Sequence, residues 1–357
     1  MKIVLATGGS GGHIFPALQT AHELKKRGHE VVFAGALTSA QAKIEAAGFS
    51  CRNISVEGFQ DRSALGTLRF AVLMLGAIRQ SFSVVRQTAA DKIVGFGGYG
   101  SFPVLVAGCC LGVPAMIHEQ NVKPGKANQV LKHLVKKVAV SFQESLAYFG
   151  PKAVWTGCPC HDVPSTRSRE EICRTFGLDP GGRIIVLLGG SQGSQRLNQV
   201  FFETMSVLAK EGKVQAIHMT GRKEFELYEH KYRQAQLPVK VCAFISPIED
   251  LYAVVDVLIT RAGAATVSEL GAFAVPAVLV PYPYAGGHQK YNAQVLSQRG
   301  AALLLEQNDL SAPTLIEAVG RLNAPEFSRA SIKQKSAGRF MENAAARLAD
   351  AIELNLQ

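Results

Sequence analysis

The stretch that decides the fold runs from Arg261 to Asn292 and reads RAGAATVSELGAFAVPAVLVPYPYAGGHQKYN. It follows an apolar strand at 257–260, opens with a turn of small residues, and predicts a helix from about Thr266 and a second strand over 275–280. Small residues let a ligand approach the backbone, and the N–H groups at a helix N-terminus suit an anion. Glu269 shares a helix face with Thr266, where its carboxylate can accept hydrogen bonds from hydroxyls beside that anion. The stretch is typical either of a site for a nucleotide diphosphate and its ribose or of an ordinary βαβ unit.

The composition bounds the class of protein. The 357 residues favour two domains of ordinary size, and 47% hydrophobic with 18% charged residues is typical of a well-buried globular protein. A net charge of +10 favours an anionic partner, whether a phosphate-bearing substrate, a nucleic acid or a lipid surface. Seven scattered cysteines suit a reducing cytoplasm, and the N-terminus lacks the features of a signal peptide. The cluster Cys158–His161 lacks a second Cys/His pair at zinc spacing, which favours simple thiols over a metal site.

Two similar strand-to-glycine starts predict two domains. The apolar strand at 2–6 runs into Gly-Gly-Ser-Gly-Gly-His at 8–13, and the strand at 183–188 runs into Gly-Gly-Ser-Gln-Gly-Ser at 189–194. This predicts two Rossmann-like domains of similar build, with the seam near the connector at 154–168. A dinucleotide fingerprint starting at Gly9 would require glycine where the chain has Ile14, and no P-loop motif occurs. NAD binding and P-loop NTPase activity are therefore disfavoured.

Polar residues follow two further strands of the first half. Gly95–Ser101 is a second glycine-rich turn, and His118–Asn121, His-Glu-Gln-Asn, ends an apolar strand where α/β folds place ligand contacts. The alternative for the second motif is a capped helix start. His13 closes the first glycine loop and is a candidate general base because imidazole titrates near neutral pH. A structural histidine at a helix start is the alternative.

The segment 65–86 predicts a long helix that is apolar beyond one face and punctuated by arginines. Such a helix could dock on an anionic membrane surface, or it could be buried with its arginines reaching out to water. The apolar runs 102–117 and 270–287 are interrupted by prolines and glycines, so we expect buried strands plus loops rather than membrane helices. A helix over 337–354 is expected to present Phe340 and Leu348 on one side.

Elimination narrows the chemistry of a phosphate site. The sequence contains no D-x-D pair, which usually supplies ligands for a divalent ion on a diphosphate. If a nucleotide diphosphate leaves here, its charge must be met by backbone N–H groups, helix N-termini and cations such as Arg261.

The motifs taken together, in this order, resemble the signatures of the MurG family, the peptidoglycan glycosyltransferases that add N-acetylglucosamine to lipid I. They are Gly8–His13, Gly95–Tyr99, His118–Asn121, Gly189–Gly193, Arg261–Glu269 and His288–Ala293. The resemblance implies an α/β fold of the GT-B type, with two Rossmann-like domains facing an inter-domain cleft. Residues 1–156 plus 337–357 would form the N-terminal acceptor- and membrane-facing domain, and residues 157–336 the C-terminal UDP-sugar-binding domain.

The resemblance also implies the site residues. His13 would be the general base, Ile245 would contact the uracil through its backbone, Glu269 would hold the ribose hydroxyls, and Gln289 would read the sugar hydroxyls. The full set of implied donor-binding residues is Ser10, Gly11, Gly12, Asn121, Ser191, Ile245, Arg261, Ala262, Gly263, Ala264, Thr266, Glu269, His288 and Gln289. A membrane patch is expected at Leu68, Arg69, Leu75, Arg79, Phe82 and Arg86.

The implied activity is a single inverting displacement. N-acetylglucosamine would move from UDP-N-acetylglucosamine, a substrate, to the 4-hydroxyl of the N-acetylmuramoyl-peptide of lipid I, forming lipid II without metal or cofactor. The implied partners are an anionic membrane surface and other cell-wall synthesis proteins, with no nucleic acid, and the implied location is the cytoplasmic face of the plasma membrane as a peripheral protein. A UDP-N-acetylglucosamine 2-epimerase-like enzyme and a non-catalytic nucleotide-binding protein at the membrane are the alternatives.

The sequence departs from the family pattern at the expected hinge. Where the family usually has Gly-Asn-Pro-Val-Arg, this chain has Gly-Cys-Pro-Cys-His at 157–161. His161 thus replaces an arginine that the resemblance places on the donor, so a fixed charge and a bidentate donor fork are lost.

Overall fold

The computed structural model describes residues 1–9, 11–56, 63–161, 163–190, 193–212 and 214–354, and the chain forms two compact units. The first unit comprises Met1–Cys160 and Met341–Gln357, and the second comprises His161–Phe340. The boundaries therefore fall at 160/161 and 340/341, compared with the expected 156/157 and 336/337.

The first unit is built on a seven-stranded parallel sheet. Its strands are β1 (Lys2–Gly8), β2 (Glu30–Ala36), β3 (Ser50–Asn53), β4 (Lys92–Gly95), β5 (Ala115–Glu119), β6 (Lys137–Val140) and β7 (Ala153–Trp155). The spatial order is β3-β2-β1-β4-β5-β6-β7, so the direction of winding reverses between β1 and β4. In sheets of this kind ligands bind outside the carboxyl ends of the strands at such a reversal.

Within the described residues, six α-helices connect these strands and cover the sheet. They are α1 (Gly11–Lys26), α2 (Gln41–Ala46), α3 (Ala64–Thr88), α4 (Ser101–Cys110), α5 (Lys126–Leu131) and α6 (Leu146–Phe149). The expectation of strands plus loops over 102–117 was wrong in its first half, which is α4; only the end of the run forms a strand, β5. Val104 and Leu105 of α4 are fully buried against the sheet, so the apolar run reflects a buried helix.

The second unit repeats the same plan with six parallel strands. They are β8 (Arg183–Leu188), β9 (Val214–Met219), β10 (Val239–Cys242), β11 (Val257–Thr260), β12 (Ala277–Leu279) and β13 (Leu303–Leu304), in the order β10-β9-β8-β11-β12-β13. The winding reverses between β8 and β11. The helices are α7 (Arg169–Phe176), α8 (Gln195–Glu211), α9 (Phe225–Gln234), α10 (Ile248–Val254), α11 (Ala264–Phe273), α12 (His288–Ser297), α13 (Ala312–Arg321) and α14 (Arg329–Ser336).

The chain then returns to the first unit with α15 (Ala344–Leu354). Leu348 and Ile352 are fully buried in the core around α1 and β1. Arg27, directly after α1, pairs with Asp350 at 2.6 Å and with Glu353 at 3.0 Å. The expected helix over 337–354 was too long at its start, since the stretch 337–343 is not helical.

The outer face of α3 is apolar and exposed. Leu68, Val72 and Leu75 are 63%, 61% and 67% exposed, whereas Ala77, Val84 and other residues of the second half of the helix are buried against the sheet. By length and composition alone, Gly66–Thr88 could cross a membrane, with a mean hydropathy of 1.4, but most of that window lies outside the core.

Candidate active site

The loops after β1 and β4 meet at the winding reversal of the first unit. The N–H of Gly8 donates to the carbonyl of Gly97 at 3.2 Å. Gly97 and Gly98 have φ of +86° and +79°, which favours glycine, and a Cβ on either would come within 3.3 Å of the His13 ring. The glycine pair therefore lets the half-buried His13 imidazole approach the backbone of the second loop closely.

A chain of hydrogen bonds runs inward from His13. Its Nδ1 lies 3.1 Å from Oε1 of Gln120, and Nε2 of Gln120 lies 3.1 Å from both Nδ1 and the carbonyl oxygen of His118. Nε2 of His118 lies 3.1 Å from the carbonyl oxygen of Gly157. His118 and Gln120 are buried, and burial lowers the pKa of His118 to about 4, so its ring is neutral at physiological pH.

The implied donor-facing residue Asn121 is held by Glu119. Oε1 of this buried carboxylate accepts the backbone N–H of Asn121 at 2.9 Å and its side-chain amide at 3.3 Å. Oε2 accepts the N–H of Gly125 at 3.0 Å and the amide of Asn128 at 2.8 Å. Four donors on one carboxylate fix the loop that follows β5, because ionised oxygens form strong hydrogen bonds to N–H groups.

Arg261 lies at the winding reversal of the second unit, directly after β11. Its guanidinium donates to the carbonyls of Val280 and Pro281 and, at 2.7 Å each, to the side chains of Ser194 and Gln307. All four acceptors are neutral, and no carboxylate among the described residues pairs with this half-buried cation. A half-buried charge without a partner of opposite sign is unfavourable, so this site suits an anionic ligand.

Two side chains of α12 form hydrogen bonds to the backbone of the turn that follows Arg261. The N–H of Ala262 donates to Oε1 of Gln289 at 3.1 Å, and the carbonyl of Ala262 accepts from Nδ2 of Asn292 at 3.2 Å. Gln289 and Asn292 are three residues apart and share one face of the helix. Oε1 of Gln289 also accepts the N–H of Tyr282 at 2.9 Å, so this side chain organises the backbone around the turn.

Glu269 is buried on α11, and its carboxylate is engaged on both oxygens. The Tyr252 hydroxyl donates to Oε2 at 2.7 Å, and the His161 N–H donates to Oε1 at a long 3.4 Å. Burial raises the pKa of Glu269 to about 7, against the lowering effect of these two hydrogen bonds, and the charge of Glu249 raises it further. The carboxyl group is therefore close to half-ionised at neutral pH.

The departure from the family pattern at 157–161 places His161 beside Glu249 and Glu269. Its Nδ1 lies 3.7 Å from Oε2 of Glu249, and its backbone N–H faces Glu269. Cys158 is buried and Cys160 half-buried, both as thiols. Within the described part of the chain, no three His, Cys, Asp or Glu side chains gather as a metal site.

The other residues named from the sequence fall at helix starts and strand ends. Gly11 and Gly12 open α1, Gly263 precedes α11 without a side-chain cap, Ala264 and Thr266 form the first turn of α11, Ile245 is buried after β10, and His288 opens α12. Ser10 and Ser191 lie outside the described residues. The described site residues of the first unit follow β1 and β5, and those of the second unit follow β10 and β11 or lie on α11 and α12.

Several residues of these sites were missed by sequence reasoning. Tyr252 comes from α10, and no spacing in the sequence links it to Glu269. Gln120 and His118 were quoted within a motif but given no role, although their place at the end of a buried strand was the available signal.

The chain is similar to known proteins over most of its length. Residues 3–140 match the N-terminal domain of glycosyltransferase family 28, and residues 184–348 match its C-terminal domain. The chain is 33% identical over 361 residues to a UDP-N-acetylglucosamine--N-acetylmuramyl-(pentapeptide) pyrophosphoryl-undecaprenol N-acetylglucosamine transferase of Bacillus subtilis, with 99% of both chains covered. A relative of the same name from Thermodesulfovibrio yellowstonii is 33% identical over 336 residues, covering 92% of each. The crystal structure of Acinetobacter baumannii MurG is similar with a TM-score of 0.77 and 26% identity, over 99% of both chains.

Proposed function

Because the chain belongs to glycosyltransferase family 28 and, within it, to the MurG family, we propose that it transfers N-acetylglucosamine from UDP-N-acetylglucosamine to lipid I. The acceptor atom is the 4-hydroxyl of the N-acetylmuramoyl-peptide, and the product is lipid II. The second unit takes the UDP-sugar, and the first unit takes the acceptor and faces the membrane.

The observation that supports the donor site is the Arg261 guanidinium. It is a half-buried cation whose bonds within the described residues go to neutral acceptors, next to the uncapped N-terminus of α11. A guanidinium and a helix N-terminus together suit a diphosphate, and they stabilise the charge that develops as UDP leaves. Glu269, on the same helix, suits the paired hydroxyls of a ribose.

The reaction follows as one displacement. The acceptor 4-oxygen attacks C1 of N-acetylglucosamine from the face opposite the diphosphate, so the C1–O bond to UDP breaks as the new β-1,4 bond forms. His13 takes the hydroxyl proton, and the electron pair of the broken bond leaves with UDP. A positioned base contributes roughly 10²- to 10⁴-fold in such a step.

The outer face of α3 supports a peripheral membrane position for the first unit. Leu68, Leu75, Arg79, Phe82 and Arg86 recur at helical spacing on one stripe, with Arg69 beside it. Arg86 lies over the ring of Phe82 at 5.9 Å, and the three arginines are exposed. The inner face of the same helix belongs to the core, so the helix lies on the bilayer surface rather than crossing it.

The test is incubation of the purified protein with UDP-N-acetylglucosamine and a short-chain lipid I analogue, with and without EDTA. We expect release of UDP and a β-1,4-linked disaccharide in both conditions. Strict dependence on a divalent cation would contradict the proposed donor site. Interconversion of UDP-sugars without acceptor would indicate an epimerase, and binding of the nucleotide without turnover would indicate a non-catalytic protein.

The matched variant is His13→Ala. It should lower kcat by at least about 100-fold while the Kd for UDP-N-acetylglucosamine, measured by calorimetry, stays within about twofold. Full activity of this variant would remove His13 from the mechanism.

A further inference from the structure

We propose that the buried pair Gln120 and His118 fixes the tautomer of His13, placing its proton on Nδ1 so that Nε2 is the atom that accepts the acceptor's proton. This inference rests on the proposed function for the identity of the reaction, but the tautomer itself is a property of the protein alone.

The orientation of the Gln120 amide follows from one contact. One end of the carboxamide lies 3.1 Å from the carbonyl oxygen of His118, and a carbonyl oxygen can only accept. That end must therefore be the NH₂ group, since the flipped amide would set two oxygens against each other. Oε1 of Gln120 then faces His13 at 3.1 Å.

The tautomer of His118 agrees with this orientation. Its Nε2 faces the carbonyl oxygen of Gly157 at 3.1 Å, so Nε2 carries the proton. A neutral ring then has a lone pair on Nδ1, which accepts the second N–H of the Gln120 amide at 3.1 Å. A protonated His118 would turn Nδ1 into a donor facing the Gln120 NH₂ group, and burial of the ring disfavours that charge.

The same logic carries the proton assignment to His13. Oε1 of Gln120 has no hydrogen to give, so the bond at 3.1 Å requires an N–H on Nδ1 of His13. In the neutral imidazole the lone pair then lies on Nε2. The acceptor that sets this arrangement is a neutral amide, whereas the serine protease triad uses a carboxylate for the same task.

The neighbouring ring of Phe96 and the glycine turn keep the hydrogen-bonded chain of His13, Gln120 and His118 in one arrangement. His118 is fully buried and Gln120 nearly so, and the ring of Phe96 lies 5.5 Å from the ring of His118. A Cβ added to Gly97 would meet Nδ1 of His13 at 3.3 Å and Oε1 of Gln120 at 3.6 Å. The glycine turn therefore closes over the bond between them. Gln120 and His118 are positioning residues, because they act on the reaction through His13.

The test uses Gln120→Leu, which keeps the approximate volume and removes both the donor and the acceptor. We expect kcat to fall about 10- to 100-fold, within the contribution of a general base, with the KM for UDP-N-acetylglucosamine within about twofold. Nitrogen-15 NMR of histidine-labelled protein should show protonated Nδ1 on His13 in the wild type and a mixture of tautomers in the variant. The His13 signals are identified by their loss in His13→Asn.

The matched control is Gln41→Leu, which removes an exposed glutamine amide on α2 of the same unit. It should change neither kcat nor the His13 signals. A wild-type spectrum with the proton on Nε2 of His13, or an unchanged kcat in Gln120→Leu, would overturn the inference. If that variant does not fold, Gln120→Met and the wild-type spectrum decide. A protein with the expected tautomer but no transferase activity would refute the proposed function alone.

Discussion

Glu269 accepts hydrogen bonds from Tyr252 and from the His161 backbone within the second unit. Its pKa is raised to about 7, chiefly by burial, so proton uptake competes with any ligand that needs both carboxylate oxygens as acceptors. The titratable groups around it are Tyr252, Glu249 on the same helix as Tyr252, and the His161 side chain beside Glu249.

The affinity for UDP-N-acetylglucosamine should therefore fall as the pH falls. In the proposed donor site two ribose hydroxyls would donate to the ionised form, so we expect binding to be strongest above the pKa of Glu269 and to be lost as pH drops through about 7. From pH 8 to pH 6 we expect Kd, measured by calorimetry, to rise roughly tenfold, since the ionised fraction falls by about that factor. In Glu269→Gln this dependence should disappear. A residual slope in that variant would contradict the assignment of the pH dependence to Glu269.

Tyr252→Phe should shift the same profile towards higher pH. The Tyr252 hydroxyl stabilises the ionised carboxylate, so its removal raises the pKa of Glu269 and weakens binding at pH 7 by about tenfold. Tyr228→Phe removes another buried tyrosine hydroxyl of the second unit and is the control, with no shift expected. Equal effects of the two substitutions would contradict a specific role for Tyr252.

At the scale of single residues, the sequence predicts only contacts between positions that are close together in the chain. The spacing of Thr266 and Glu269 was visible because both lie on one helix, and His13 was visible at the end of its glycine loop. The partners Tyr252 and Gln120 arrive from other elements, so only the folded sheet brings them within hydrogen-bonding distance. Gln289 shows the same limit. Its side-chain carbonyl oxygen accepts a hydrogen bond from the backbone N–H of Ala262, a role that its motif did not indicate.

Strands that form one uninterrupted apolar run in the sequence were predicted closely. The strands β8 and β11 have the expected bounds, because uninterrupted apolar runs in a parallel sheet are buried on both faces. The secondary structure of the apolar run at 102–117 was harder to predict, since a buried helix and a buried strand are both continuously apolar. The last helix was expected too early because Phe340 lies at helical spacing from Leu348, yet Phe340 packs where a Cβ on Gly271 of the second unit would overlap its ring.

The outer face of α3 should bind anionic vesicles. Replacing Leu68, Val72 and Leu75 together by serine removes the exposed apolar surface without touching the core, so cosedimentation with phosphatidylglycerol vesicles should be largely lost. Activity on a short-chain, water-soluble acceptor should stay unchanged. Val207→Ser with Leu227→Ser removes exposed apolar residues from α8 and α9 and is the control. Undiminished cosedimentation of the α3 variant would place the membrane contact elsewhere.

The closing helix α15 should contribute strongly to the stability of the first unit. Leu348 is fully buried, so Leu348→Ala should cost about 2–5 kcal/mol of unfolding free energy. Trp155, the only tryptophan, lies in β7 of the same unit, so its fluorescence during urea unfolding reports that unit. Leu354→Ala, at an exposed position of the same helix, should stay within about 0.5 kcal/mol. Similar losses from both would mean that α15 does not belong to this core.

The whole molecule is two versions of one design, and the sequence showed this through its two strand-to-glycine starts. Each sheet places its winding reversal next to the first strand of its unit, and His13 and Arg261 follow β1 and β11, which lie at these two reversals. The parallel direction of the strands was predictable from the alternation of strands and helices, because parallel strands need crossover connections. The side-chain networks at the reversals did not follow from it, since they depend on packing.

The return of α15 also sets an order of events during synthesis. Residues 161–340 leave the ribosome as one continuous piece with a complete core of their own. The first unit starts to emerge earlier, but its core lacks Leu348 and Ile352 until codons 344–354 are translated. Because domains generally fold as units during synthesis, the half of the protein that is made first is the half that matures last, and a nascent chain stalled before codon 344 holds a finished second unit beside an unfinished first one.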